Sequence, residues 1–185
     1  MRILSIDCGI KNLAYCVLEC DQDSFKIVEW NILNVQGGDF YTTSQQLVDV
    51  LVDTFVTSDD PFDFVLIENQ PVIKNPVMKS IQVVIYTFFL MMSKQQGNET
   101  EIKLMSASNK LKVKHKPPTL TQDTGPTTKN KYQENKKLSI AYTKHYLRDD
   151  ETWLTRFMQE KKKDDLADSF LQGVFFIEKF VLTNK

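Results

Sequence analysis

The chain has 185 residues and a mass of 21.5 kDa, which suits one domain with a substantial core and is short for two. Apolar residues make up 42% and charged residues 25%, a composition that excludes global disorder. The 23 Lys+Arg nearly balance the 24 Asp+Glu, so the overall charge alone does not indicate a nucleic-acid partner. However, eleven basic and only two acidic residues lie within 103–148, so positive charge is concentrated in one segment.

The first part of the chain is predicted to form three strands, a helix and a fourth strand. Apolar runs at Ile3–Ile6, Leu13–Cys20 and Phe25–Leu33 predict the strands, and their short polar connections favour an antiparallel meander. Apolar residues recur with the helical period over Thr42–Val56 and therefore predict a helix. Asp63–Glu68 is almost entirely apolar between its two acids, which is typical of a strand buried on both faces.

The second part of the chain is predicted to be mainly helical. A long helix with apolar residues on more than one face is predicted over Asn75–Met92, followed by a fifth strand over Glu101–Ser106. Residues 113–131 contain Pro, Gly, Thr and Lys without apolar periodicity and predict a mobile basic loop. Two further helices are predicted over Tyr132–Tyr146 and Asp164–Leu182. The order of these elements predicts a single mixed α/β domain over the whole chain.

The cysteines and the apolar stretches indicate the cellular compartment in which the protein functions. The chain has three cysteines, Cys8, Cys16 and Cys20. Their odd number and the absence of a CxxC pair argue against a disulfide framework and a zinc site. Buried free thiols are expected instead, and they indicate a reducing, intracellular compartment. No signal or transit pattern is present, and the apolar stretch Ile81–Met92 is shorter than the ~20 residues that span a membrane. We therefore expect no membrane association.

Four acidic residues stand out because they terminate apolar elements or share a helix face. Asp7 ends the first predicted strand, Glu68 ends the fourth, and Asp165 and Asp168 lie three residues apart on the last helix. Such carboxylates are costly to bury unless they are paired or bound to a cation. Mg²⁺ prefers oxygen ligands, and two ions would activate water and stabilise the leaving 3′ oxygen of a phosphodiester. Each acid alone could equally be a helix cap or a solvated surface group, as Asp164 is expected to be.

Three segments around these acids resemble RuvC-type Holliday-junction resolvases. LSIDCGIKNLAY at 4–15 resembles the first-strand motif of that family. LIENQP at 66–71, followed by KNPVMK at 74–79, is similar to the second acidic motif in the resolvases of poxviruses, other large DNA viruses and fungal mitochondria. KKDDLADSF at 162–170 matches the closing helix, and the three segments follow the family's order.

The resemblance implies a ribonuclease-H-like fold, a mixed five-stranded sheet flanked by helices, with a catalytic site for two Mg²⁺ ions or substituting Mn²⁺. Its implied metal-binding and catalytic acids are Asp7, Glu68, Asp165 and Asp168. Viral members also carry a functional lysine at the start of the helix before the last, a position that Lys136 fits, with Lys137 as the alternative. Such a lysine would offset charge on the scissile phosphate. The family acts as two-fold dimers, and the helix predicted over 77–92 is the candidate interface.

Four acids would repel DNA, so basic residues must supply the attraction to a four-way junction. Lys110, Lys112, Lys114 and Lys116 occupy alternate positions, and an extended chain would place them in one row along the phosphate backbone. The remaining candidate DNA-binding residues lie beside the acidic motifs or in the basic segment: Lys11, Asn12, Gln70, Lys74, Lys129, Lys131 and Lys137.

The leading prediction is a Mg²⁺-dependent endonuclease that resolves four-way junctions by paired symmetric nicks, in recombination or in the processing of viral replication intermediates. Two alternatives remain open, namely a nuclease of other branched or RNA-containing duplexes and a junction-binding protein without catalysis. An actin-like nucleotide-binding fold also begins with a strand ending in Asp-x-Gly, but six glycines and 185 residues are too few for it. An origin in a large DNA virus would place the protein in the cytoplasm.

Overall fold

The computed structural model describes residues 1–56, 61–73, 75–117 and 128–182, with residues 128–130 described by their backbone alone. Five strands form one sheet: β1 Arg2–Asp7, β2 Asn12–Cys20, β3 Phe25–Asn34, β4 Phe64–Asn69 and β5 Glu101–Ser106. Five α-helices accompany it: α1 Phe40–Phe55, α2 Pro76–Gln96, α3 Thr128–Tyr146, α4 Glu151–Gln159 and α5 Lys163–Phe176. A 3₁₀-helix covers Ala107–Lys112, and a π-helical turn covers Ile177–Val181.

The sheet has the strand order β3-β2-β1-β4-β5, with β1, β2 and β3 antiparallel and with β4 and β5 parallel to β1. The predicted meander and the mixed α/β class are therefore confirmed. The turn between β1 and β2 needs Gly9, because a Cβ atom there would lie 1.8 Å from the carbonyl oxygen of Asn12. The turn between β2 and β3 is closed by the Asp21 carboxylate, which accepts hydrogen bonds from the Ser24 backbone N–H at 2.7 Å and from the Asp23 N–H at 2.8 Å.

Helices cover both faces of the sheet, and each face has its own apolar core. Alternate residues of a strand point to opposite faces. Leu4 and Ile6 of β1 pack on the side of α1 and α2, whereas Ile3 packs on the side of α5. In β4, Leu66 likewise belongs to the core on the α5 side. This alternation fixes which face of the sheet each later residue of β1 and β4 points to.

Trp30 of β3 anchors the first part of α5 to the sheet. Its side chain is fully buried, and its Nε1 donates to the carbonyl oxygen of Leu166 at 3.0 Å. The indole stacks on Phe157 of α4 with ring centroids 5.3 Å apart. Helix α4 is absent from the sequence-based prediction, although Asp150 caps it by accepting from the Trp153 N–H at 3.0 Å. The helix has only nine residues, too few for a clear periodic signal.

Three other predictions need correction. Residues 107–112 form a 3₁₀-helix, so the predicted extended row of lysines is wrong at Lys110 and Lys112. Helix α3 begins at Thr128, so the loop predicted over 113–131 is wrong at its carboxyl end, while its part at 118–127 lies outside the described residues. Helix α5 ends at Phe176, and the chain continues as a π-helical turn instead of an α-helix to Leu182.

Helix α2 is also longer than predicted, because it continues to Gln96 and ends at Gly97, whose φ of 66° is left-handed. Among the described residues, α2 is the one helix long and apolar enough to cross a membrane by length and composition. A single helix of this kind does not establish a membrane span, since core helices of globular domains have the same properties. Ile81, Ile85 and Phe89 of α2 are buried in the core beside α1 and β4.

Candidate active site

The two strand-end acids lie side by side. Strands β1 and β4 are parallel neighbours, and Ile6 is paired in register with Ile67, so Asp7 and Glu68 occupy the next adjacent positions. Both acids share the strand face of Leu66, which points towards α5. The sheet therefore places two partly buried carboxylates together beneath the amino-terminal part of α5.

Helix α5 brings the third acid of the group. Asp168 lies close enough to Asp7 and Glu68 for their charges to act on one another. Lys110 lies on the 3₁₀-helix that follows β5. Its ammonium donates to Asp168 Oδ2 in a partly buried ion pair. Lys110 was predicted to contact DNA as part of an extended row, but its side chain points into the acidic group. Asp165 is partly buried one turn earlier on α5.

Burial and mutual repulsion raise the pKa values of Asp7 and Asp168. Burial raises the pKa of Asp7 well above its usual value, and the hydrogen-bonding and charge interactions with Glu68 raise it further. Burial also raises the pKa of Asp168, although Lys110 opposes that shift. Burial alone would lower the pKa of Lys110, but the charges of Asp168, Glu68 and Asp7 outweigh it and raise the pKa above its usual range. Lys110 therefore remains a cation within a group that needs positive charge.

The donor chemistry of the acids fits a hard divalent cation. Asp168 Oδ1 is buried and has no hydrogen-bond partner within the described part of the chain, so one carboxylate oxygen has no compensation. Carboxylate oxygens are the ligands that Mg²⁺ prefers. Across the described residues, no three acidic, histidine or cysteine side chains already stand in a metal-ligating arrangement. In this structure Lys110 supplies the positive charge that compensates the acids.

Lys136, the lysine favoured by the family resemblance, is placed beside α5 but pairs with a different acid. Its ammonium donates to Asp164 Oδ2 and lies 4.9 Å from the centre of the Tyr132 ring. The hydrogen bond to Asp164 raises the pKa of Lys136 and contributes to lowering the pKa of Asp164. Burial raises the pKa of Asp165, and the charge of neighbouring Asp164 adds to the shift. Asp164, Asp165 and Lys136 therefore form a second charged group at the beginning of α5.

The candidate DNA-binding residues are dispersed over the fold and are not gathered at the acids, since Lys114 lies beside Ser24 and Phe25 at the opposite end of the sheet. Most of the basic ones are exposed, as expected of residues that contact a phosphate backbone: Lys11, Lys112, Lys114, Lys116, Lys131 and Lys137. Lys112 donates to Asn109 Oδ1 at 3.1 Å, and the Lys116 ammonium lies 5.8 Å from the centre of the Tyr142 ring. Asn12 begins β2 and is partly buried. Lys74 and the side chain of Lys129 lie outside the described residues.

Sequence reasoning missed a polar cluster that holds the segment after Glu68. Gln82 of α2 is 2% exposed, and its Oε1 accepts from the Gln70 backbone N–H at 2.8 Å and from Lys79 Nζ at 3.1 Å. Lys79 Nζ also donates to Asn69 Oδ1 at 3.0 Å. The available signal was a glutamine within the apolar positions of a helix, because such a residue must find hydrogen-bond partners when it is buried.

Comparison with known proteins identifies the family. The sequence profile described as Poxvirus A22 protein matches residues 1–179. The chain belongs to this family. It is the family of the poxvirus Holliday-junction resolvases, which are nucleases that hydrolyse DNA phosphodiester bonds. The resemblance inferred from the sequence motifs is therefore confirmed.

Solved structures share the fold of this A22-family chain. The fowlpox virus resolvase, in a complex with Holliday-junction DNA, is 21% identical with a TM-score of 0.65, covering 96% of this chain and 97% of its own. The yeast mitochondrial Holliday-junction resolvase is 22% identical with a TM-score of 0.59, covering 95% and 78%. Thermus thermophilus RuvC is 9% identical with a TM-score of 0.58, covering 98% and 97%. The predicted ribonuclease-H-like fold is thus confirmed.

A curated relative comes from a virus of Acanthamoeba polyphaga. Protein L451 of Acanthamoeba polyphaga mimivirus, described as uncharacterized, is 39% identical over 118 residues. The match covers 62% of this chain and 28% of that protein, so the chain spans little more than a quarter of this relative's length.

The burial of Asp7 and its repulsion by Glu68 predict that removing the charge of Asp7 stabilises the metal-free protein. Because the folded state raises the pKa of Asp7, the folded state binds a proton where the unfolded chain has lost it. Stability therefore falls as pH rises above the ordinary aspartate value of about 3.9. In EDTA at pH 7.5, Asp7→Asn should raise the free energy of unfolding by about 1–2 kcal/mol in urea denaturation.

The gain should shrink as the pH falls through the raised pKa of Asp7 towards the ordinary aspartate value of about 3.9, because Asp7 of the folded parent protein takes up its proton over that range. Asp49→Asn, at an exposed position of α1, is the control and should change stability by less than about 0.5 kcal/mol. Equal or lower stability of Asp7→Asn at pH 7.5 would contradict the repulsion described here.

Proposed function

We propose that this protein is a metal-dependent endonuclease that resolves four-way DNA junctions by paired, symmetric nicks. The observation that carries the proposal is the group formed by Asp7, Glu68 and Asp168 at one end of a ribonuclease-H-like sheet. Membership of the A22 family and the fold shared with solved resolvases support it. The reducing intracellular compartment expected from the sequence remains part of the proposal and is supported by three free, buried cysteines.

Asp7, Glu68 and Asp168 would hold Mg²⁺, or Mn²⁺ in its place, and Asp165 would complete the set from the same helix. The bound ions would polarise the scissile phosphate and lower the pKa of the attacking water. The protein's own contribution is to hold the carboxylates in place. Strand pairing fixes Asp7 beside Glu68, and the buried Asp168 Oδ1 makes no hydrogen bond of normal geometry within the described residues, so it is available as a ligand atom.

Lys110 is the lysine best placed to act with these acids. Its pairing with Asp168 keeps an ammonium group beside the carboxylates. With cations held by the acids, that ammonium would be free to neutralise charge on the phosphate. Lys136, the residue implied by the resemblance, would act from the second charged group with Asp164.

The first test separates a nuclease from a protein that only binds junctions. Asp7→Asn and Asp168→Asn should each lower the rate of cleavage of a mobile four-way junction in Mg²⁺ by about 100-fold or more. Junction affinity, measured in Ca²⁺ by fluorescence anisotropy, should remain within about 3-fold of the parent value, because removing an acid removes no attraction to phosphate. Asp149→Asn, at an exposed acid just before α4, should cleave like the parent.

Cleavage that persists in both variants while binding falls would contradict the metal-dependent mechanism. The substrate class is tested in the same assay, with a flap, a linear duplex and an RNA–DNA hybrid beside the junction. Faster cleavage of any of these than of the junction would favour the alternative of a broader branched-duplex nuclease.

The second test assigns the lysine. At saturating Mg²⁺, Lys110→Met should lower the cleavage rate by about 100-fold, since it removes the charge nearest the acids. Lys26→Met is the control, because Lys26 is exposed at the beginning of β3, the end of that strand remote from the acids, and it should change the rate by less than about 3-fold. A large loss in Lys136→Met with little change in Lys110→Met would assign the role to Lys136.

Paired nicks require two active sites, and we place the homodimer contact on α2. Val83 and Leu90 are 51% and 40% exposed and lie seven residues apart, on the same face of the helix. Val77 and Met91 extend this exposed apolar surface. A two-fold contact uses the same patch of both subunits, so one apolar helix face can supply the whole interface.

Light scattering at micromolar concentration should give twice the chain mass of 21.5 kDa. The double variant Val83→Asp with Leu90→Asp should give the monomer mass, because two buried carboxylates would face their symmetry-related copies. Val28→Asp, on the distant strand β3, should leave the dimer intact. A parent protein that is monomeric with and without junction DNA would overturn this assignment.

A further inference from the structure

Gln172 connects the three elements that carry the acids. It lies on α5, four residues after Asp168, and its side chain is 4% exposed. Its amide nitrogen Nε2 lies 3.1 Å from Ser5 Oγ and 3.2 Å from the carbonyl oxygen of Ile6, both on β1. The same nitrogen lies 3.4 Å from the carbonyl oxygen of Leu66 on β4. One amide group therefore bridges α5 to both strands that end in the catalytic acids.

The positions of these contacts match the positions of the acids. Ser5 and Leu66 are paired in register across β1 and β4, and Asp7 and Glu68 each follow two residues later. Two residues of a strand advance by about 6.6 Å, and four residues of an α-helix advance by about 6 Å. Because α5 runs antiparallel to these strands, the contact at Gln172 brings Asp168 level with Asp7 and Glu68.

The helix is closest to the sheet at the same point. A Cβ atom on Gly173 would lie 2.5 Å from Leu18 Cδ1 and 3.2 Å from Ser5 Cβ. The backbone of α5 therefore cannot move nearer to β1, and the Gln172 amide prevents it from sliding along the strand. An apolar side chain would also fill this space, but it would not fix the axial position of the helix.

We propose that Gln172 is a positioning residue that fixes the axial register of α5 and thereby the geometry of the metal-binding acids. It touches neither substrate nor metal. Outer groups of this kind commonly change metal affinity when they are removed, because the ligands lose their fixed orientation. The inference rests on the proposed metal-dependent function and adds a residue to it.

The test compares Gln172→Met, which has a similar length without the hydrogen bonds, with the parent protein. Mn²⁺ binding to the DNA-free protein, measured by isothermal titration calorimetry, should weaken by about 10-fold. The kcat for a four-way junction at saturating Mn²⁺ should fall by about 10-fold or more, while junction affinity stays within about 2-fold. A residue that only fills the core would change thermal stability without this pattern.

Val174→Ala is the matched control, because Val174 is fully buried two residues later on the same helix. It should lower thermal stability but leave Mn²⁺ affinity within about 2-fold of the parent value. Ser5→Ala removes one acceptor of the Gln172 amide without changing α5. It should weaken Mn²⁺ binding by about 3-fold, and it decides the matter if Gln172→Met does not fold.

Parent-like Mn²⁺ affinity in Gln172→Met, or in Ser5→Ala if the first variant is unfolded, would overturn the proposal. Equal weakening in Val174→Ala would also overturn it, because a general loss of packing would then explain the effect. Mn²⁺ binding is measured without DNA, so its result is independent of the cleavage result. A parent protein that binds Mn²⁺ but cuts no junction would contradict the proposed function alone.

Discussion

The structure depends on bringing carboxylates of like charge together at one partly buried end of a sheet. Parallel pairing of β1 with β4 forces Asp7 and Glu68 into adjacent positions, and α5 adds Asp168. Such a group opposes folding unless positive charge compensates it. In the structure the Lys110 ammonium supplies that charge from the 3₁₀-helix that follows β5. The acids and their counter-charge thus come from two neighbouring strands, helix α5 and the 3₁₀-helix after β5.

The parts of this arrangement that follow from local pattern were predictable. Alternation along β1 and β4 determines the face that Asp7 and Glu68 share, and the three-residue spacing of Asp165 and Asp168 places them on one side of α5. An apolar run that stops at an acid predicts a carboxylate at the end of a buried strand, and this prediction does not depend on the rest of the fold. The family resemblance rested on the same short segments, and it identified the fold because the order of elements also agreed.

The parts that depend on tertiary contacts were not predictable. Four lysines at alternate positions suit an extended chain, but 107–112 is a 3₁₀-helix, in which Lys110 faces the acids and Lys112 faces solvent. Whether a lysine side chain turns to solvent or to a carboxylate depends on what lies above it, which the local sequence does not contain. Gln172 was missed for the same reason, since its three acceptors lie more than 100 residues away in sequence.

The concentration of positive charge in 103–148 therefore has two uses. Lys110 and Lys136 pair with Asp168 and Asp164, so part of the segment balances the acids of α5. Other lysines of the segment, including Lys112, Lys116 and Lys131, are exposed and free to attract phosphate over the range set by ionic screening. Both uses follow from the acidic nature of the site. Its negative charge must be compensated when the protein folds, and the folded protein must still attract DNA, which is a polyanion. A net charge near zero is what results when the two demands are met within one chain.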